Sequence, residues 1–170
     1  MIKKKFYRLI WLNVLVLTLS FWAHAQANKQ NVVGFNNFGG VKVGMTAAQG
    51  SKWLGVRLVS RSTDSCRYYS AKGFRDIGFM VNDGTIARFD VFNRAYATEL
   101  GAKVGDTEAR IKQLYKGMFK VTKHAYTDGH YITVTKKGTK YGIVFETDGK
   151  RVVSFHAGRK PELEYIEGCA

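Results

Sequence analysis

The stretch that comes nearest to a reactive centre is HAYTDGHY, residues 124–131, which sets two imidazoles, His124 and His130, around the Asp128 carboxylate. A structural zinc site needs four ligands, and a catalytic one needs three plus water. If the segment is a hairpin, Asp128-Gly129 is its turn, the two histidines fall on different strands, and no further ligand follows nearby. The reading is a turn flanked by surface histidines, with no metal and no cofactor. Cys66 is expected in a disulfide, no Gly-x-Ser-x-Gly elbow is present, and neither GFNNFGG nor YKG has phosphate-loop spacing. Asp90, Glu146, Glu162 and Glu164 offer carboxylates for glycoside cleavage, but the separation such chemistry requires is not written in a sequence. No residue is assigned a catalytic role, and the protein is read as non-enzymatic, with a small hydrolase as the remaining alternative.

Binding chemistry is better supplied. Aromatic residues make up 14% of the chain, and tyrosine with arginine is the usual combination of interface anchors. The residues beside the Asp-Gly turn, His124, Tyr126, His130 and Tyr131, form one candidate site. Arg88, Asp90 and His156 form another, on the strand face turned away from the expected apolar layer. The function expected is a secreted, non-catalytic interaction module of the bacterial envelope, inhibitor-like or assembly-helper-like. The alternative is a protein that binds carbohydrate or an acidic envelope polymer, with aromatic stacking added to charge attraction.

What must position these residues begins after an export signal. Lys3, Lys4, Lys5 and Arg8 precede the apolar run LIWLNVLVLTLSFW, and Ala23-His24-Ala25 is a small-x-small cleavage site. Residues 1–25 are read as a signal peptide, 26–40 as a flexible N-terminal segment, 41–93 and 102–158 as two repeats, 94–101 as a linker and 159–170 as a C-terminal tail. The whole chain carries 27 Lys and Arg against 13 Asp and Glu, a net charge of +14. Removing the signal leaves a basic domain whose field favours acidic partners. Behind an export signal these are an envelope protein or an acidic envelope polymer rather than nucleic acid, and no stable membrane insertion is expected after cleavage. The product is placed in the periplasm or outside the cell. Cys66 and Cys169 are the only two cysteines, which in an oxidising compartment reads as one disulfide. It would close a loop of roughly a hundred residues, for which chain entropy gives ~4.7 kcal/mol, and tie the tail back onto the first half.

The repeat expectation rests on landmarks in unchanged order. Val43-Gly44 and Thr46 answer Val104-Gly105 and Thr107, Thr63-Asp64 answers Thr127-Asp128, Asp83-Gly84 answers Asp148-Gly149, and Phe89 answers Phe155. In the first unit Thr46 is placed to cap a short helix, with Gln49 completing a capping box; in the second, Asp106 or Thr107 caps, with Glu108 near the positive end of the dipole. Gly55 and Gly117 stand where those helices should stop. Four β-branched or aromatic runs follow each helix, punctuated by Asp-Gly and Lys-Lys-Gly turns. The expected fold class is therefore α+β: two tandem helix-plus-four-stranded antiparallel meander repeats forming one sheet, with helices on one face and a polar face left open for a partner.

VKVGMTAAQGSKWLG, a Gly-Met-Thr turn opening a short helix that ends at Leu-Gly, resembles the opening of the small barrel-assembly lipoproteins of the Gram-negative outer membrane. Two such units in tandem look like the β-lactamase inhibitor protein family, which implies a continuous sheet with a concave binding face. The ending EYIEGCA resembles that of secreted bacterial proteins with the same layout. The chain departs from the lipoproteins in having no lipid-attachment cysteine after its apolar run, and from the inhibitors in having a single potential disulfide.

Overall fold

The computed structural model describes residues 31–169. The expected signal peptide and the first residues of the expected N-terminal lead lie outside that range. In chain order the elements begin with β1 (Val32–Val33), β2 (Asn37–Phe38), β3 (Val41–Lys42), helix α1 (Ala47–Leu54), β4 (Leu58–Val59), β5 (Arg67–Ala71), β6 (Phe74–Asn82), β7 (Thr85–Val91) and β8 (Ala97–Thr98). Helix α2 (Glu108–Leu114), β9 (Phe119–Lys123), β10 (His130–Thr135), β11 (Tyr141–Thr147), β12 (Val152–Arg159) and a 3-10 turn at Glu162–Glu164 complete it.

The strands form two sheets, one of four strands in the order β3-β2-β1-β8 and one of eight in the order β4-β5-β6-β7-β12-β11-β10-β9. The α+β expectation, two helix-plus-meander repeats sharing a single sheet, is therefore corrected to a mostly-β fold of two sheets. The helices span only eight and seven residues, too few to be stable without tertiary packing. The small sheet escaped the sequence reading because its strands are two residues long, below the length at which alternation can be seen. Three of them come from the stretch 31–42, where a flexible lead was expected up to residue 40, and the fourth from 94–101, where a linker was expected.

Local chemistry nevertheless produces the elements where capping and turn residues stand. The Thr46 hydroxyl accepts from the Gln49 amide at 3.2 Å, while the Gln49 side chain accepts from the Thr46 amide at 2.9 Å, and Gly55 closes α1 in the left-handed conformation. Thr107 caps α2 by accepting from the Arg110 amide. Between β6 and β7, Asp83 and Gly84 both have positive φ, 50° and 77°, and Asn82 pairs with Thr85 across them. That is the two-residue type I′ hairpin that Asp-Gly favours.

Both helices and the small sheet lie on one face of the large sheet. Phe38 of β2 is fully buried, meeting Phe74, Phe79, Phe89 and Tyr96 at ring-centroid distances between 5.6 and 6.3 Å. Farther along the sheet Tyr115, which follows α2, contacts Phe145, and Phe145 contacts Phe155. Across the strands the register aligns Ile132, Phe145, Phe155, Val91 and Ile77 on this apolar side. The opposite face then carries Tyr131, Glu146 and Ser154 in one row, and Val144, His156, Asp90 and Gly78 in the next.

Cys66 and Cys169 are joined by a disulfide 103 residues apart in sequence. The bond fastens the C-terminal segment across the second face, beside β5. A C66A/C169A variant is predicted to lose about 2–5 kcal/mol of unfolding free energy in urea. Limited proteolysis should then cut within 166–168, while the Glu164 and Tyr165 amides, which donate to the Pro161 and Glu162 carbonyls, keep their protection from hydrogen exchange.

Candidate functional site

The polar face expected to stand open is covered. Residues 162–169 run across it as a strap, and Arg88, Asp90, His156, Ser154 and Glu162 are all buried beneath or within it. The strap can lie flat because two neighbouring positions of the row beside Arg88 carry no side chain. Gly142 pairs with Gly158 across β11 and β12, and a Cβ on Gly142 would stand 2.6 Å from Leu163 Cδ2. Leu163 is fully buried on this bare strip.

Arg88 ties strap to sheet. A guanidinium has five N–H donors, and each finds an acceptor. Nε donates to Asp90 Oδ2 at 3.1 Å and Nη2 to Asp90 Oδ1 at 2.8 Å; Nη2 also donates to the Tyr68 hydroxyl at 2.8 Å. Nη1 donates to two strap carbonyls, Glu162 at 2.9 Å and Tyr165 at 2.7 Å. Burial weakens the Arg88 charge, but Asp90 outweighs it and pushes the guanidinium pKa up. Burial also pushes the Asp90 carboxyl up, against the downward pull of Arg88. Both Asp90 oxygens accept N–H bonds, so the pair is ionised at neutral pH. The Tyr68 phenol is raised to about 12, first by burial and then by Asp90.

The strap has further anchors. Glu162 accepts from Arg159 Nη2 at 3.0 Å and from Asn82 Nδ2 at 3.1 Å. His156 Nε2 lies 2.9 Å from the Leu163 carbonyl. A carbonyl only accepts, so Nε2 carries the proton. Burial, reinforced by the nearby Arg88 charge, lowers the His156 pKa to about 3, which leaves the ring neutral with a lone pair on Nδ1.

Six of the seven candidate binding residues are gathered around the strap. Arg88, Asp90 and His156 lie under it. His124 stacks on Tyr131 at 4.5 Å, and its Nε2 stands 3.9 Å from Glu146. Tyr126, exposed, hydrogen-bonds the strap residue Glu167. His130 is the exception, because it faces the helix side, where its Nδ1 meets Glu108 Oε1 at 2.7 Å. Burial pushes the Glu108 carboxyl up, but bonds from Thr147, Lys112 and His130 outweigh it and hold the pKa at about 2. Sequence reasoning missed Tyr68, and it offered Glu146 and Glu162 only as carboxylates for glycoside cleavage. Among the described residues no group of three or more His, Cys, Asp or Glu side chains is placed to hold a metal ion.

Space remains on both sides of the strap. One cavity of about 230 Å³ is lined by Tyr68, Phe92, Glu146, His156, Ile166 and Glu167, among others. A second of about 170 Å³ has Tyr131, Glu146, His156, Glu164 and Ile166 on its walls. Tyr68 and Phe92 also border an apolar groove of about 700 Å³ that runs out to Val59. The three spaces share walls, so they form one surface feature.

The chain matches no family model. No curated protein matches it either. Its structure is similar to that of yfeY, an uncharacterized protein from Escherichia coli, with a TM-score of 0.52 and 16% sequence identity over 75% of this chain and 99% of that one. At that identity the likeness is one of fold.

Two predictions follow from the strap's anchors. Arg88→Lys keeps the charge but cannot reproduce the five-donor fork, and should cost about 1–3 kcal/mol in denaturant unfolding for the acceptors it leaves unpaired. It should also raise amide exchange at 162–166. The second concerns pH. The His156 pKa is about 3 folded against 6.5 for an ordinary imidazole, so below pH 6.5 the unfolded chain binds the proton and the native one does not. Stability is full above about pH 6.5 and falls on acidification toward pH 3, by up to about 1.4 kcal/mol per pH unit from this group. Urea unfolding between pH 7.5 and 4.5 should show the decline, and His156→Gln, which retains a donor for the Leu163 carbonyl, should flatten it.

Proposed function

We propose that the protein is a non-catalytic docking module working outside the cytoplasm, and that it grips a partner protein on the strapped face. The observation that carries this reading is the exposed apolar rim of the groove and cavities. Phe92 is 60% exposed, Ile166 52% and Val59 50%, and they surround the partly buried Tyr68, whose hydroxyl is fixed by Arg88. Large apolar side chains held open to solvent around a rigid aromatic and a buried arginine network have the anatomy of an interface core with its anchors. The polar groups beneath are committed to structure: Arg88 and Asp90 to each other, and His156 Nε2 to the strap. This supports binding over turnover.

The export-type N-terminal sequence and the Cys66–Cys169 bond support a periplasmic or secreted location. No described helix is long and apolar enough to cross a membrane. A second reading, docking of an acidic envelope polymer, is favoured by Lys116, Lys120, Lys123, Lys136, Lys137 and Lys140. These are exposed around the β9–β11 end of the sheet and take part in none of the ion pairs among the described residues.

A photo-crosslinking residue at position 59, on the rim of the same groove, should capture a discrete envelope protein, whereas one at Val153, exposed elsewhere, should not. Phe92→Asp combined with Ile166→Asp should abolish capture with little change in urea unfolding. Capture should persist in about 0.5 M sodium chloride, where exposed charge attraction is screened within a few ångströms. Association that vanishes in that salt and survives the two substitutions would favour the lysine-rich end and the polymer.

A further inference from the structure

Glu146 is an unusual carboxylate. It stands at the junction of the two strap cavities, a quarter exposed, and its oxygens make no hydrogen bond with any described residue. Oε1 lies 3.9 Å from His156 Nδ1, and Oε2 lies 3.9 Å from His124 Nε2. Both distances are too long for direct bonds.

The two sides differ chemically. His124 Nδ1 accepts from the Tyr126 amide at 3.1 Å, so a neutral His124 presents Nε2–H, a donor, toward Glu146. His156 presents the opposite, since its Nε2–H is used on Leu163 and its Nδ1 lone pair faces the carboxylate. The His156 side chain is 7% exposed and lines both cavities, and its Nδ1 has no hydrogen-bond partner among the described residues. Two acceptors therefore confront each other across 3.9 Å. A group with at least two donors, placed about 2.8 Å from each, satisfies both; a water does this without charge, and an ammonium does it while also neutralising the carboxylate.

Charge narrows the choice. The ionisable carboxylates on the walls of the two cavities are Asp90, Glu146, Glu164 and Glu167, against one permanent cation, Arg88, which Asp90 already neutralises. Glu164 is paired with Lys160 and Glu167 is bonded to Tyr126, so Glu146 is the carboxylate left to attract a cation. This acidic recess lies within a chain whose net charge is +14. At the mouth, Phe92, Ile166 and the Tyr68 ring offer apolar walls for a hydrocarbon stem. An acidic, acceptor-lined end reached through an apolar throat matches a primary ammonium on an alkyl chain, which has three donors and no acceptor.

We propose that the cleft beside the strap receives a lysine side chain of the docked partner, its ammonium bridging Glu146 and His156 Nδ1 while its methylenes lie along Phe92 and Ile166. The inference rests on the docking reading above and names the residue type that enters it.

The test uses the intact mature protein with its disulfide. Nα-acetyl-lysine methylamide, its Nε-acetylated form and cadaverine are each titrated while the imidazole nitrogens of His124 and His156 are followed by long-range ¹H–¹⁵N NMR. The lysine amide should shift His156 Nδ1 saturably with a Kd on the order of 1 mM, as expected of a single side-chain anchor. Nε-acetylation and Glu146→Gln should each weaken it at least ~10-fold, a loss of about 1.4 kcal/mol. An unchanged amide spectrum away from the cleft shows that the E146Q variant is folded. Equal shifts with the acetylated compound, or no saturable shift at about 20 mM, overturn the proposal. Binding of cadaverine but not of the lysine amide also overturns it, in favour of a free amine. Loss of this binding alongside retained, Phe92-dependent crosslinking would remove the lysine inference and leave the docking reading in place.

Discussion

The arrangement depends on the fork of Arg88. Its five donors join β7 to Asp90 on the same strand, to Tyr68 two strands away and to two carbonyls of the strap. A planar group with fixed donor directions tolerates one placement of its acceptors. Strap and sheet are consequently held in one register.

The energetics of that arrangement are finely balanced. Burying an ion pair sacrifices the hydration of both charges, and the attraction between them recovers it only when every donor and lone pair is well placed. Every fully buried side-chain nitrogen and oxygen among the described residues has a partner, and His156 Nδ1, which has none, opens on the cleft, so that condition is met around Arg88. Net stabilisation of the strap comes instead from Leu163, seated on the bare Gly142–Gly158 strip, and from the disulfide, which restricts the unfolded chain. Apolar burial and cross-linking hold the strap down, and the guanidinium determines where.

Much of the local structure was legible in the sequence because it is encoded locally. Thr46 with Gln49, Asp106-Thr107 before Glu108, and Asp83-Gly84 declare their caps and turn within four residues, and the single cysteine pair left one intramolecular linkage to draw. Alternation along β7 and β12 placed Arg88, Asp90 and His156 on a common face correctly. What it could not convey was that this face is roofed, since the roof comes from residues more than seventy positions after Arg88 and its fit depends on Gly142 having no side chain. The four-stranded sheet was equally hidden. Its β1–β8 pairing is parallel and joins Val32 to Ala97, and two-residue strands leave no periodic trace. His130 is near His124 in sequence, but His124 stands opposite Gly129 and His130 opposite Lys123, so the two rings point to different faces and Glu108 holds His130 on the other. Fold class went wrong for a related reason: capped helices announce themselves strongly even when they are only two turns long.

The ring closed by Cys66 and Cys169 encloses β5, β6, β7 and β9 through β12, seven of the eight strands of the large sheet. Tension applied between a point before Cys66 and the end of the strap would therefore travel through the sulfur–sulfur bond and bypass those strands. The load would fall on what lies outside the ring: β4 with its two-residue pairing to β5, and β1 to β3, whose short ladders are the weakest in the molecule. Under pulling, the protein should shed its N-terminal layer while the sheet that carries the strapped face stays whole.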